Sequence, residues 1–213
     1  MGVHVEYNLK WHKAFAESKR KLKYRLAGLS RLRLIVPYPT LKLISEGIFG
    51  STLIYCLPLI GGGVKAELQS VQVLQNKAAQ IVTRHPPRTN RDLMFDKLDW
   101  LSVNQLLAYH TLLQVYRVRN SHEPEYLFQS LGKNSRNYRI PIQKVNLALV
   151  KKSFTYRGAS LWNFLPFDLR NIKKINQFKK EVRKWVKNKV PRFLINALLF
   201  NFTSKTCKKV VKT

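Results

Sequence analysis

The sequence predicts a mainly α-helical fold with one small β-hairpin, and three observations carry that prediction. Apolar residues recur at three- and four-residue steps along most of the chain, strict alternation is confined to short stretches, and prolines and glycines punctuate the helical patterns. The 213 residues are 45% hydrophobic, enough for packed cores and well above the apolar depletion of disordered chains.

Taken in order, the elements begin with GVHVEYNL (2–9), which alternates like a short strand or hairpin end. Beyond Trp11 one amphipathic helix is expected, with Phe15, Leu22, Leu26, Leu29 and Leu32 on its apolar face. Val36-Pro37-Tyr38-Pro39 ends it, and Thr40 is expected to cap a second helix in which Leu41, Ile44, Ile48, Thr52 and Tyr55 keep step. Gly61-Gly62-Gly63 closes this helical hairpin, so residues 1–63 form a first block. A third helix is predicted over 65–84, with Leu68, Val71, Ala78 and Ile81 on one stripe and His85-Pro86-Pro87 as its stop. Ser102 is a good N-cap for a fourth, carrying Leu106, Leu107, His110, Leu113 and Tyr116. Residues 92–125 are the least basic of the chain and are where the core is expected; residues 120–135 turn polar, with a linker or exposed loop expected around GKNSRN (132–137). Residues 64–135 thus form a helical extension.

Residues 136–190 are expected to combine the β element with a last helix. Tyr138-Arg139-Ile140-Pro141-Ile142 alternates, with Pro141 limiting it to an edge strand, and so does KKSFTYRGASLWNFLP (151–166). In the second stretch Phe154, Tyr156, Leu161, Trp162, Leu165 and Phe167 carry too much apolar area to be left in water, so most belong in a core that pins the last helix. That helix places Ile175, Phe178, Val182 and Trp185 on one face before Pro191 closes it. The tail 191–213 is unassigned, and its FLINALLFNF run (193–202) reads as a short buried helix or a sticky segment.

Charge sets the expected partner. Lys and Arg number 39 against 11 Asp and Glu, a formal net charge of +28, which self-repels unless a polyanion neutralises it. Solubilising surfaces interleave both signs, whereas residues 10–33 hold nine Lys or Arg against Glu17 and residues 170–192 hold ten against Glu181. RNA or DNA, held through its phosphate backbone, is therefore the expected partner. The candidate contacts are Lys19, Arg20, Lys21, Lys23, Arg25, Arg31 and Arg33 in the first helix, Lys151, Lys152 and Arg157 at the edges of the alternating stretch, and Lys179, Lys180, Arg183 and Lys184 in the last helix. Tyr156 is a base-stacking candidate where exposed. A membrane is the competing polyanion, but no run reaches the ~18–20 apolar residues of a spanning helix.

The chemistry of catalysis finds little support. Two-metal phosphoryl transfer needs paired carboxylates, and no adjacent aspartates occur; Asp92, Asp96 and Asp99 read as balancing Arg88 and Arg91. Ser153 and Ser160 lie outside any nucleophile elbow, and the five histidines are scattered, with His110 on an apolar face where a core histidine is the commoner case. Gly61-Gly62-Gly63 lacks the phosphate-loop spacing. Cys56 and Cys207 are too few for a disulfide framework or a cysteine-rich zinc site and suit a reducing compartment. No catalytic residue, metal, cofactor or small-molecule substrate is expected, and the location is expected to be intracellular, nuclear or cytoplasmic.

Order adds what single segments lack. GVHVEYNLKW, KLKYRLAGLSRLR, LQSVQVLQNKAAQIVT, FDKLDWLSVNQLLAYHTLLQVYRV, EPEYL and KKSFTYRGASLWNFLPFDLRN followed by INQFKKEVRKWV together resemble the carboxy-terminal end of non-LTR (LINE-type) retrotransposon reverse transcriptases, most closely the CR1 and jockey-like lineages. The likeness covers about residues 1–190. It implies that residues 1–63 correspond to the thumb, which follows the polymerase palm and grips template and primer, and that the rest matches a helical extension. The palm's Tyr-x-Asp-Asp turn and the endonuclease lie upstream in that family, so the resemblance makes this chain a nucleic-acid-binding fragment of an RNA-directed DNA polymerase without its catalytic residues. Met1 then looks like an internal methionine recruited as a start. The rival readings are a domesticated chromatin- or RNA-binding architectural protein and an inert pseudogene-like fragment.

Overall fold

A computed structural model describes residues 6, 11–55, 57–62, 65–86, 88–132, 138–142 and 145–188. The alternating stretch at 2–9 (Glu6 apart), most of the GKNSRN loop, the stop at Pro191 and the tail lie outside the described residues. The protein is mainly helical, as the periodicity requires, and divides into two compact units, 1–106 and 107–213.

The first unit is built on α1 (His12–Leu32), which buries Phe15, Leu22, Leu26 and Leu29. Each of these side chains contributes roughly 1.5–3 kcal/mol when taken out of water, far more than helix propensity supplies. Next comes α2 (Tyr38–Ile44), continued by a π turn (Ser45–Gly50) and α3 (Ser51–Ile54), then α4 (Leu57–Ile60), α5 (Lys65–Thr83) and α6 (Arg91–Leu98). Thr40 does not cap α2. The N-cap is Pro37, three residues earlier, and Pro39 is accommodated in the first turn because a proline there lacks only an N–H that would have had no partner. The main packing partner of α1 is α5, which buries Leu68, Val71, Leu74, Ala78, Ala79 and Val82. At the end of α5, Arg84 adopts a left-handed φ of 57° and donates to the carbonyls of Arg33 (2.9 Å) and Val36 (2.8 Å), tying the two helices' ends together.

Helix α7 (Val103–Ser121) opens with a reciprocal cap: Gln105 Oε1 accepts from the Ser102 N–H (2.9 Å) while Ser102 Oγ accepts from the Gln105 N–H (3.4 Å). Buried Gln75 donates to the Leu101 carbonyl (2.8 Å), and Gln72 accepts from the Val103 N–H (2.8 Å). The fold therefore fixes the start of α7 with side chains of α5.

The second unit holds α8 (Glu125–Leu131), α9 (Ala148–Lys151), α10 (Phe154–Phe164), α11 (Phe167–Arg170) and α12 (Ile175–Asn188). Within the polar stretch 120–135, α8 forms, closed by Gly132 at a φ of 74°. The β-hairpin is also corrected: among the described residues there is no strand, and the second alternating stretch is helix α10. Ser153 caps α10 by accepting from the Tyr156 N–H (3.3 Å), and Phe154, Arg157, Gly158, Leu161, Trp162 and Leu165 recur at helical steps, a stronger pattern than the alternation. The segment 138–142 finds no strand partner among the described residues. Its backbone is paired instead by two adjacent side chains of α10: Trp162 Nε1 donates to the Tyr138 carbonyl (2.8 Å), and Asn163 both accepts from the Ile140 N–H (2.8 Å) and donates to the Ile140 carbonyl (2.7 Å).

The apolar expectation for this stretch is met in part. Leu161, Trp162 and Leu165 are buried, Phe154 and Tyr156 are half-buried, and Phe167 is exposed. Trp162 lies 5.9 Å from Phe178 between ring centroids, and Phe178 stacks on Tyr116 at 4.1 Å, so α7, α10 and α12 share one aromatic cluster. The last helix is thus fastened through Phe178, Val182, Trp185 and Val186, all buried.

Candidate nucleic-acid interface

Because α1 buries one stripe in its unit, its remaining faces sort the cations by what they can reach. Lys13, Arg20, Lys23 and Arg31 are exposed. Lys13, Arg20 and Arg31 fall on a single outer stripe with Tyr24, whose side chain is 72% exposed, at steps of seven, four and seven residues. Other candidates are engaged within the unit. Lys19 pairs with Glu67 of α5 at 2.7 Å, Lys21 with Glu17 at 2.8 Å, and Arg25 donates to the Ile48 carbonyl at 2.7 Å; Arg33 is half-buried. Hydrogen bonding by Lys19, and secondarily by His12, holds the Glu67 carboxyl below its ordinary 4.5. Lys19 therefore belongs first to the α1–α5 seam.

In the second unit α12 repeats the arrangement. With its apolar face buried, Lys180 and Lys184 are exposed and Lys179 and Arg183 half-buried; Lys184 lies 3.3 Å from Glu181. Lys173 and Lys174, just before the helix, are exposed as well.

Arg157 departs from expectation. It is fully buried in α10, with Nε donating to the Lys152 carbonyl (3.0 Å), and burial brings its guanidinium down to about 10. It is not an exposed phosphate contact, because its helical position faces the interior once 154–164 is a helix rather than a strand. Of its two companions, Lys152 is exposed and Lys151 half-buried. Tyr156 is only half-buried, and an exposed aromatic set among cations is Tyr24, which the spacing of Lys13, Arg20 and Arg31 around it would have revealed.

His110 lies partly buried on α7 against Tyr109, and burial, followed by Arg117 and Arg183, pushes its imidazole below 6.5. Among the described residues no group of three His, Cys, Asp or Glu side chains is placed to hold a metal ion, and no helix is long and apolar enough to cross a membrane. Cations with open faces can meet phosphate oxygens without reading bases, which gives affinity and salt dependence rather than sequence choice. Comparison of the chain with protein-family models, curated proteins and solved structures finds no match.

Proposed function

We propose that the chain binds RNA and DNA through their phosphate backbones, in the manner of the thumb and post-palm region of a non-LTR retrotransposon reverse transcriptase, and has no catalysis of its own. The observation that carries the reading is the outer stripe of α1, where Lys13, Arg20 and Arg31 stand exposed around Tyr24 in a chain of net charge +28. An ordinary surface helix alternates charge signs along such a face. The exposed lysines of α12 supply a second set of phosphate partners, and Tyr24 offers a ring on which an unpaired base can stack. This reading places the protein inside the cell, in the nucleus or cytoplasm, where its polyanion is found.

The test is fluorescence anisotropy with labelled RNA and DNA strands of unrelated sequence. All should bind within a few-fold of one another, and the pair Arg20→Gln with Arg31→Gln should weaken all of them to the same degree. Strong preference for one sequence, or equal binding by the variant, would overturn the proposal.

A further inference from the structure

In the second unit a cavity of about 400 Å³ opens where α7, α10 and the chain following α11 come together. It falls within the roughly 300–1,000 Å³ of small-molecule sites. Its wall includes three cations, Arg119, Arg170 and Lys173, and no carboxylate among the described residues. The Arg119 guanidinium lies 5.0 Å from the centre of the Trp162 ring, and its buried Nη1 has no hydrogen-bond acceptor among the described residues. Arg170 is 8% exposed. Burial, and then the proximity of Arg170, brings Arg119 down to about 10, so it remains charged at neutral pH.

A buried N–H of a charged group is costly unless an acceptor meets it, and Arg119 Nη1 is such a group. Two guanidiniums on one cavity with low-dielectric walls concentrate positive potential there. Their planar forks suit the oxygens of a phosphate better than a point charge would. The remaining wall includes the amide of Asn120 and, at 42% exposure, the ring of Tyr138, which add hydrogen-bonding and stacking surface beyond what a bare ion uses. We propose that this cavity is a binding site for a phosphate-bearing ligand of nucleotide size, with Arg119, Arg170 and Lys173 holding the phosphate. A free nucleotide and the phosphorylated end of a strand share that chemistry. The site uses none of the residues of the exposed α1 stripe, so it stands or falls independently of backbone binding.

Calorimetric titration of the full chain with AMP, inorganic phosphate and adenosine, in about 150 mM chloride to screen surface charges, tests it. AMP and phosphate should saturate at one per chain and adenosine should not bind. Arg119→Gln should weaken AMP by about ten-fold or more, the size expected when a charged hydrogen bond is removed. Lys173→Gln alters an exposed side chain that leaves folding intact, and should weaken AMP several-fold even if the Arg119 variant misfolds. The Arg20→Gln, Arg31→Gln pair should leave AMP affinity unchanged. Displacement of AMP by a 5′-phosphorylated but not a 5′-hydroxyl oligonucleotide identifies strand ends as ligands, and displacement by neither identifies the free nucleotide. Absence of saturable binding to the folded chain, or AMP affinity unaltered by Lys173→Gln, would overturn the proposal.

Discussion

Replacing Gly158 by alanine sets two effects of opposite sign against each other at one position of α10. Alanine is favoured over glycine by about 1 kcal/mol in a helix interior, so propensity alone predicts a more stable protein. The new methyl carbon would lie 2.7 Å from Val115 Cγ2 and 3.8 Å from Thr111 Cγ2. Carbon atoms prefer roughly 3.5–4.0 Å, and Val115 is fully buried on a stiff, β-branched side chain that cannot swing away. Overpacking of this kind costs about 1–3 kcal/mol, so Gly158→Ala should destabilise by up to about 2 kcal/mol despite the gain in propensity. Val115→Ala alone should cost about 2 kcal/mol, from two missing methyl groups and the space they leave. Combined, the two changes complement each other: the alanine methyl enters the space vacated by valine. Chemical denaturation of the full chain, followed by far-UV circular dichroism and tryptophan fluorescence, should show the double variant more stable than the sum of the singles by about 1–3 kcal/mol. Additivity within about 0.5 kcal/mol, or a Gly158→Ala protein more stable than the parent, would refute the close α7–α10 approach.

Trp162→Ala removes a buried ring, its hydrogen bond to Tyr138 and the surface under Arg119, and should cost about 3–5 kcal/mol, read as a lowered denaturation midpoint; a variant of full stability that no longer binds RNA would instead make Trp162 a base-stacking residue. Glu67→Gln should destabilise the first unit at neutral pH. The Glu67 carboxyl titrates lower in the folded protein than its ordinary 4.5, so its stabilisation is present above that value and disappears as pH falls through the folded one. Thermal melts of parent and variant should therefore differ at pH 7 and converge in acid, and a difference that grows on acidification would contradict the Lys19–Glu67 seam.

Helices with a continuous apolar stripe were legible: α1, α5 and α12 follow from Phe15 to Leu29, Leu68 to Val82 and Phe178 to Val186, although α1 ends at Leu32, before the expected break at Val36-Pro37. The helix α10 was harder. Gly158 and β-branched Thr155 lower its propensity, and alternation over Phe154 and Tyr156 imitates a strand, while the deciding signals are the Ser153 cap and the i, i+3, i+4 recurrence through Trp162. Misreading that helix also misplaced Arg157, since a residue's burial follows from the period assumed. Of the outer α1 stripe, Arg20 and Arg31 were candidates from charge alone and Lys13 was missed, while the pairing of Lys19 with Glu67, 48 residues away, depends on which helices pack together. Arg119 had a local signal, a cation one turn beyond Val115 and Tyr116 on the buried side of α7; the meeting with Arg170 is a product of the fold.

The measurement that tests backbone binding most directly is the slope of log association constant against log salt concentration for a single-stranded RNA. With four or more phosphates engaged by the exposed cations of α1 and α12, the slope should be about −3 or steeper, and affinity should fall by orders of magnitude between ~50 and ~200 mM salt as engaged sites approach six or more. Arg20→Gln with Arg31→Gln should make it shallower by about one for each phosphate that a guanidinium no longer neutralises. A slope shallower than about −1, unchanged by those substitutions, would contradict phosphate-backbone binding by this chain.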